Sequence, residues 1–327
     1  MKKSFRAFMS GIIDYAGLFP PAGLSLDTSI RNYAAYRKSD EAWMLSRFII
    51  PAGRLKDLEA YGDELLKEGE PYRFSVLGSG TDTLADFEEE IKGVFDSCSE
   101  FKKMHGERVV SDLVEIKLPK EAVLGGDSGL IREALVMTAN AADAANGTPQ
   151  TVFFEGFYEE SWKKDIDTVL KALSGYHEKD AGEAGILQAG FKLRCGGTEA
   201  HMFPEVEKVA YSINACREHN LALKCTAGLH HPVRHYNDSV QTKMHGFFNV
   251  FGGALLAYVH DLNNEELEEI LQEEDPDQFS FSDESFYWKD LSVSAEDITE
   301  LREVAVTSFG SCSFEEPLED LQKLNLV

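Results

Sequence analysis

Short apolar runs alternate along most of the chain with stretches in which apolar residues recur at helical spacing. The apolar runs predict eight strands, at 11–18, 44–50, 72–77, 112–118, 151–157, 186–194, 221–227 and 306–314. Apolar faces and capping residues predict helices between them, at 27–37, 55–67, 83–103, from 204 onward and at 315–324. We assign the first residues of the chain to the region of the first strand. Such alternation is typical of βαβ units and a parallel sheet.

Seven strand–helix units and a further apolar run near the C-terminus favour a closed (β/α)8 barrel of the TIM type, in a single domain spanning residues 1–327, over an open sheet. The exact position of the eighth strand is the least defined part of this pattern. Residues 232–303 then form an insertion between strands seven and eight, which is too long for a structureless loop. Helical patterns at 245–262 and 265–274, and an alternating, hairpin-like run at 278–293, give this insertion its own structure.

The net charge of the chain limits the classes of partner that it can bind. Lys and Arg number 32 against 57 Asp and Glu, which gives a net charge of −25. Such a surface repels phosphate backbones and anionic lipids, so we expect neither a nucleic acid nor a membrane as partner. The 5 cysteines are odd in number and contain no Cys-x-x-Cys pair, which favours reduced thiols and a cytoplasmic protein. No run approaches the roughly 18 apolar residues of a membrane span.

Charged residues inside predicted strands are the main functional signal, because barrel enzymes place their chemistry at the C-terminal ends of strands. Side chains alternate along a strand, so Glu115 shares a face with Lys117, Lys192 with Arg194, and Lys224 with Thr226. If these faces point into the barrel, the converging cations need a compensating anion, which predicts a small anionic metabolite as ligand. The alternative is that these faces meet the outer helices and form structural ion pairs.

Further candidates for substrate binding lie near strand ends. Glycine-rich turns before helices can hold an anion on backbone N–H groups, which makes candidates of Gly196 and Gly197 after strand six and of Gly310, Ser311 and Ser313 in strand eight. Tight turns explain such glycines equally well. Arg47 and Glu155 are polar residues in strands two and five. Each is a candidate substrate contact or an ion-pair partner.

Four histidines fall after strands six and seven and suggest a different chemistry. His201, His230, His231 and His235 could supply a zinc or manganese site together with a carboxylate. Adjacent residues on an extended chain point to opposite sides, so His230 and His231 do not both enter one site. Alternatively, one of these histidines is a general acid or base, or a polar loop residue.

Residues 188–231 resemble strand six, helix six and strand seven of deoxyribose-phosphate aldolase and related class I aldolases. Those barrels carry a Schiff-base lysine in a Lys-x-x-x-Gly pattern on strand six and a second lysine on strand seven. Lys192 to Gly196 and Lys224 to Gly228 match these places. The segment 112–115 resembles the family's acidic strand, and 307–313 loosely resembles its phosphate-facing strand. The resemblance implies a Schiff-base lysine at Lys192, a second lysine at Lys224 and proton transfer by an acidic residue on strand four.

The sequence departs from that family in three places. The family's Thr-Ser-Thr after the strand-six lysine is Leu193-Arg194-Cys195 here, the double histidine is foreign to it, and the long insertion has no counterpart. These differences leave the substrate and the pathway open.

Together these features predict a lyase of aldolase type that acts through a lysine Schiff base on a small phosphorylated or carboxylated carbonyl compound. Lys192 forms the imine, Lys224 or Arg194 lowers its pKa, and Asp112 or Glu115, beside Lys117, moves protons. Arg194 and the loop at 310–313 hold the anionic group of the substrate. No cofactor is expected. One alternative is a metal-dependent hydrolase or isomerase that uses the histidines, and another is a non-catalytic metabolite-binding barrel. Exposed phenylalanines at 247, 248 and 251 favour a homodimer, although they could instead cap the barrel.

Overall fold

The structure is a computed structural model that describes residues 1–67, 69–145, 150–179 and 187–327. Eight strands close into a barrel in the order β1-β13-β7-β6-β5-β4-β3-β2. The barrel strands are β1 (Ile13–Tyr15), β2 (Leu45–Pro51), β3 (Tyr72–Leu77), β4 (Val109–Lys117), β5 (Gln150–Glu155), β6 (Leu187–Arg194), β7 (Leu223–Thr226) and β13 (Val306–Ser311). The predicted (β/α)8 fold is confirmed. Residue 186, which the sequence placed in strand six, lies outside the described residues.

The helices Leu26–Tyr36, Leu84–His105, Val206–Glu218 and Glu315–Lys323 lie where the apolar periodicity predicted them. The described residues form eleven α-helices. They are α1 (Lys3–Met9), α2 (Leu26–Tyr36), α3 (Leu84–His105), α4 (Lys120–Leu124), α5 (Ser128–Ala144), α6 (Trp162–Lys179), α7 (Val206–Glu218), α8 (Gly253–His260), α9 (Asn264–Gln272), α10 (Ala295–Val304) and α11 (Glu315–Lys323). Side chains cap several N-termini: Ser25 accepts from the N–H of Thr28 at the start of α2, and Thr83 accepts from Asp86 at the start of α3.

Two local predictions are wrong. The first residues form the helix α1, because Phe5, Phe8 and Met9 are buried and recur at helical spacing. The predicted α-helix at 55–67 is a 3₁₀ helix over Ala52–Tyr61. Its buried residues Ala52, Leu55 and Leu58 lie three apart, which is the period of a 3₁₀ helix.

The chain divides into two compact units. One comprises residues 47–192 and 219–221 and contains β3, β4, β5 and most of β2 and β6. Neighbouring strands in it pair in parallel, with Leu77 opposite Glu115 and Lys117 opposite Glu155. Phe74 packs edge-on against Phe101 of α3, with ring centroids 5.1 Å apart. These pairings fix the register that brings the polar residues of the strands together.

The other unit comprises residues 1–46, 193–218 and 222–327 and contains β1, β7 and β13. Strand β13 pairs in parallel with β1 and with β7, and this register sets Gly310 opposite both Asp14 and Thr226. Arg302 of α10 is buried and donates hydrogen bonds to the carbonyl oxygens of Phe8, at 3.0 Å, and Ser10, at 3.1 Å. The buried guanidinium therefore joins α10 to the end of the N-terminal helix.

Between β7 and β13 the chain builds regular structure, as the sequence predicted. This segment holds a two-stranded sheet of β8 (His235–Asn237) and β9 (Thr242–Met244), a π-helix over Phe248–Gly252, α8 and α9. The predicted hairpin is a three-stranded antiparallel sheet of β10 (Phe279–Phe281), β11 (Ser285–Trp288) and β12 (Leu291–Ser294). The division into one barrel domain, 1–327, and an insertion, 232–303, stays a prediction.

The three phenylalanines that we expected at the surface are buried. Phe247 is 0% exposed, Phe248 2% and Phe251 0%. Phe247 stacks on Phe309 of β13 with ring centroids 5.4 Å apart, and Phe251 lies 5.6 Å from the same ring. They serve the core because covering β13 removes large aromatic area from water. The expected homodimer therefore loses the surface that suggested it.

Candidate active site

A buried lysine lies between two buried carboxylates near the C-terminal ends of β4, β5 and β6. The Nζ of Lys192 is 2.8 Å from Oε2 of Glu115 and 3.0 Å from Oε2 of Glu155. The three side chains are 6%, 1% and 6% exposed. The hydroxyl of Ser75 on β3 donates to Oε1 of Glu115 at 2.5 Å. We call Lys192, Glu115, Glu155 and Ser75 the Lys192 cluster.

The sequence explains why these side chains share one face. Glu115 and Lys117 alternate with Val114 and Ile116, which are buried apolar residues, and Lys192 alternates with buried Phe191 and Leu193. Because an isolated charge is costly to bury, the polar face is stable only where opposite charges meet. The parallel register supplies that meeting between β4, β5 and β6.

The pKa of Lys192 is shifted in the direction opposite to the one that the sequence predicted. Burial lowers the pKa of Lys192, but the charges and hydrogen bonds of Glu115 and Glu155 outweigh burial and raise its pKa above the ordinary value. The ammonium form is therefore favoured in the resting protein. The anions that compensate the buried cation belong to the protein, so the charge of Lys192 does not by itself require an anionic ligand.

Lys117, the last residue of β4, extends the cluster toward solvent. Its side chain is 36% exposed, and its Nζ lies 3.9 Å from Oε1 of Glu155 and 5.3 Å from the ring centroid of Phe157. Glu155 thus contacts a buried lysine and a partly exposed one. Two lysines and two glutamates leave this group with no net charge.

Lys224 belongs to a second buried cluster, in the other unit. Its ammonium group contacts Asp14 of β1, both side chains are fully buried, and it donates to Ser308 of β13 at 3.1 Å. The hydroxyl of Ser308 donates to Asp14 Oδ2 at 2.6 Å. Asp14 compensates the charge of Lys224. The proposed site therefore does not use Lys224 to lower the pKa of Lys192.

Asp112 and Arg47 lie toward the N-terminal ends of their strands, away from the end where barrels place chemistry. Arg47 donates to both carboxylate oxygens of Asp112, at 2.9 and 3.2 Å, and Arg73 contacts the same carboxylate. Burial raises the pKa of Asp112, but the two guanidinium groups outweigh burial and lower it. We read this group as a structural ion pair and leave it out of the proposed site.

The glycines after β6 lie where there is no room for a side chain. A Cβ on Gly196 would lie 2.8 Å from the Cα of Gly228 and 2.5 Å from the ring of Phe203, and one on Gly197 would lie 2.3 Å from the sulfur of Met202. Gly228 itself has a φ of +74°, which favours glycine. The loops after β6 and β7 therefore approach at backbone distance. Arg194, just before these glycines, ends β6 as an exposed residue.

Acidic side chains lie at the start of the helix after β13, close to the residues that we expected to bind an anion. The hydroxyl of Ser311, the last residue of β13, is buried and donates to the carbonyl oxygen of Ser313 at 2.6 Å. The helix that follows, α11, has Glu315 and Glu316 in its first turn. These carboxylates favour a cation at this helix start over a phosphate. Anion binding by Gly310, Ser311 and Ser313 stays a prediction.

The histidines separate into different surroundings. His201 is 72% exposed and lies 3.5 Å from Glu199. His230 is 9% exposed, and its Nδ1 lies 3.3 Å from Oε2 of Glu316 and 3.9 Å from Sγ of Cys312. Burial lowers the pKa of His230, but Cys312 and Glu316 outweigh burial and raise it to about 9. His230 is thus the buried member of the predicted histidine set.

His231 and His235 line a surface pocket in the same unit. The Nδ1 of His231 lies 2.5 Å from Oδ2 of Asp320, and the ring centroid of His235 is 4.4 Å from that of His231. The pocket has a volume of about 340 Å³, within the range of small-molecule sites, and Asp320 and Lys323 of α11 form part of its wall.

Sequence reasoning missed the partners that lie far along the chain. Cys312, Glu316 and Asp320 meet the loop after β7, and Ser75 and Ser308 contact the buried ion pairs. One available signal was position: Cys312 follows a barrel strand directly, and Glu316 stands in the first turn of the next helix.

The described residues define a (β/α)8 barrel that buries two lysine–carboxylate clusters among its strands. Within the described part of the chain, no helix is long and apolar enough to cross a bilayer. No protein-family model matches the sequence, and no curated protein matches it.

Among solved structures the chain is similar to a deoxyribose phosphate aldolase from Aeropyrum pernix, described as having a unique tetrameric structure. The match has 10% sequence identity and a TM-score of 0.47, and it covers 98% of this chain and 93% of the other. This is the family that residues 188–231 resemble.

Proposed function

We propose that the protein is a lyase of aldolase type, in which Lys192 forms a Schiff base with a small carbonyl compound. The observation that supports this proposal is the position of the Lys192 amine, held within 3.0 Å of the carboxylates of Glu115 and Glu155 near the C-terminal ends of the strands. A nucleophilic amine needs a neighbouring base to remove its proton, and two such groups are in contact with it.

The two carboxylates suit each proton transfer of imine formation. The ammonium group of Lys192 passes one proton to Glu115 or Glu155, and the neutral amine attacks the carbonyl carbon. The carboxylic acid formed in this step then protonates the carbinolamine hydroxyl, which leaves as water. The products are a protonated imine and a regenerated carboxylate, so charge and protons balance.

The same carboxylates favour the protonated imine once it has formed. This cation replaces the ammonium cation at the same place, so Glu115 and Glu155 stabilise both by the same attraction. A positively charged imine accepts the electron pair of a breaking carbon–carbon bond. The carboxylate that did not take part in dehydration can accept the proton of the substrate hydroxyl. The cluster thus provides a nucleophile, an electron sink and a base.

The raised pKa of Lys192 limits this chemistry at neutral pH. Below the pKa, the neutral fraction of an amine rises about tenfold for each unit of pH. Imine formation should therefore be slow near pH 7 and accelerate as the pH rises. A substrate that displaces one carboxylate from the amine would relieve this limit.

For the substrate we propose a small carbonyl compound with a carboxylate or phosphate group. Lys117 supports this class, because its partly exposed ammonium group lies beside Glu155 at the end of β4. Arg194 and the turn at 310–313 stay predictions for anion binding.

The test is borohydride reduction in the presence of glyceraldehyde 3-phosphate, acetaldehyde or pyruvate, followed by peptide mapping. We expect a stable secondary amine at Lys192, absent in Lys192→Met, and retained when the exposed lysine in the Lys243–Glu274 pair is changed by Lys243→Met. Glu115→Gln should slow trapping while circular dichroism shows a folded protein. Adducts confined to other lysines, or none with all three compounds, refute the proposal. Binding of these compounds without an adduct supports the non-catalytic alternative.

A further inference from the structure

A second group of reactive side chains converges on one point after β7 and β13. His230 lies in the loop that follows β7, Cys312 directly follows β13, and Glu316 stands in the first turn of α11. Their ligand atoms, the imidazole Nδ1, the sulfur and a carboxylate oxygen, all lie within 4.8 Å of one another. This group is independent of the Lys192 cluster and of the lysine chemistry proposed above.

The spacing of these atoms fits one small metal ion. Around a tetrahedral zinc ion, ligand bonds of about 2.0 Å to nitrogen or oxygen and 2.3 Å to sulfur place neighbouring ligand atoms roughly 3.3 to 3.5 Å apart. The observed separations are 3.3 Å from His230 Nδ1 to Glu316 Oε2 and 3.9 Å from His230 Nδ1 to Cys312 Sγ. The first separation matches the expected spacing, the second exceeds it by about 0.4 Å, and the third, between Cys312 and Glu316, lies within 4.8 Å.

The contacts argue against the other chemistry that a cysteine, a histidine and a glutamate can perform. In a nucleophilic triad the thiol and the carboxylate contact opposite nitrogens of the imidazole. The carboxylate orients the ring through one nitrogen, and the other nitrogen takes the proton of the thiol. Here both Cys312 and Glu316 approach Nδ1 of His230. The three groups therefore surround a common point instead of forming a relay.

We propose that His230, Cys312 and Glu316 bind a zinc ion. A thiolate and an imidazole favour zinc over magnesium or calcium, which prefer oxygen ligands. Cys312 and His230 are 7% and 9% exposed, whereas the side chain of Glu316 is 52% exposed. Three protein ligands with one side open to solvent leave the fourth position for water or a substrate oxygen, as in catalytic zinc sites. Binding releases to solvent the thiol proton of Cys312 and the proton of the His230 ring, because the sulfur and Nδ1 must both be unprotonated to bind the metal.

The proposal is tested on the full chain after treatment with a chelator. Equilibrium dialysis against zinc chloride with metal analysis should give one zinc per chain, and cobalt(II) should give a thiolate-to-cobalt charge-transfer band. Glu316→Gln should weaken zinc binding at least about tenfold. The matched control is Glu319→Gln, an exposed glutamate on the same helix. Cys312→Ser should remove the charge-transfer band.

Each outcome decides the matter. The absence of stoichiometric zinc binding by the folded wild-type protein overturns the site. So does an equal loss of affinity in Glu316→Gln and Glu319→Gln, because that result indicates a general acidic surface. A charge-transfer band that persists in Cys312→Ser places the metal on another cysteine. Circular dichroism of each variant separates loss of the site from loss of the fold.

Discussion

His245 should make the protein less stable in mild acid. Its ring is fully buried, Nε2 lies 2.7 Å from the carbonyl oxygen of Pro204, and Nδ1 lies 3.3 Å from Nη1 of Arg234. An N–H at Nε2 that donates to the carbonyl leaves Nδ1 free to accept from the guanidinium, which requires the neutral ring. Burial lowers the pKa of His245 to about 4, from an ordinary value of 6.5, and the charge of Arg234 acts in the same direction.

The sign and size of the effect follow from linkage. The unfolded chain takes up a proton as the pH falls through 6.5, and the folded chain does so near 4, so stability present above pH 6.5 is lost between these values. The full shift corresponds to about 3 kcal/mol, and at pH 5 about 2 kcal/mol of it is lost. Other groups also titrate in this range, so the contribution of His245 must be isolated by mutation.

Urea unfolding at pH 7 and pH 5 of the wild type and of His245→Gln isolates it. Glutamine keeps a donor for Pro204 but does not titrate. From pH 7 to pH 5 we expect the unfolding free energy of the wild type to fall by about 2 kcal/mol more than that of His245→Gln. His260→Gln is the control, since this exposed histidine also contacts a carbonyl oxygen, that of Ser292 at 2.8 Å. A stability difference that is the same at both pH values refutes the reasoning.

Three further predictions concern other parts of the fold. Asp112→Asn removes the negative charge that Arg47 and Arg73 contact and should lower the unfolding free energy by about 2 kcal/mol in urea titrations, whereas Asp57→Asn, in an exposed pair, should change it by less than about 1 kcal/mol. Gly196→Ala forces a Cβ against backbone at 2.8 Å and should cost about 1–3 kcal/mol, while Gly93→Ala, open on an exposed helix face, should stabilise by up to about 1 kcal/mol in the same assay. The rate of borohydride-trappable adduct formation at Lys192 should rise steadily from pH 6 to pH 9, and a flat profile contradicts the raised pKa.

The pattern of apolar residues predicted the barrel, because each strand–helix unit repeats a buried strand followed by a helix with one apolar face. Strand β3 was predicted residue for residue, and α11 within one residue, because alternating apolar positions indicate a strand and apolar positions at helical spacing indicate a helix. The start of the chain was misassigned, because a short apolar run does not distinguish a strand from a helix that packs three of its residues. The 3₁₀ segment over Ala52–Tyr61 was missed for a similar reason: a spacing of three lies close to helical spacing.

For the candidate site, the sequence predicted which residues share a face of one strand but not which residues of different strands meet. Alternation showed that Glu115 and Lys117 share a face and that Lys192 lies within a strand, and the structure places these three residues in one cluster. Alternation did not show which carboxylate meets which lysine. It also named Arg47 and Asp112 as site residues, and it did not show that they pair with each other in the first halves of β2 and β4.

The sequence by itself determined the fold class, the buried faces of the strands and the presence of lysines on them, because these depend on period and burial along one stretch of chain. Tertiary structure decided the pairing of Lys192 with two carboxylates, of Lys224 with Asp14, and of His230 with Cys312 and Glu316. These partners are separated by 37 to more than 200 residues, and the pairing of the strands and the packing of the loops that follow them bring them together. A protonation state or a ligand set depends on charges within a few ångströms, so neither can be read from residues that are only neighbours in sequence.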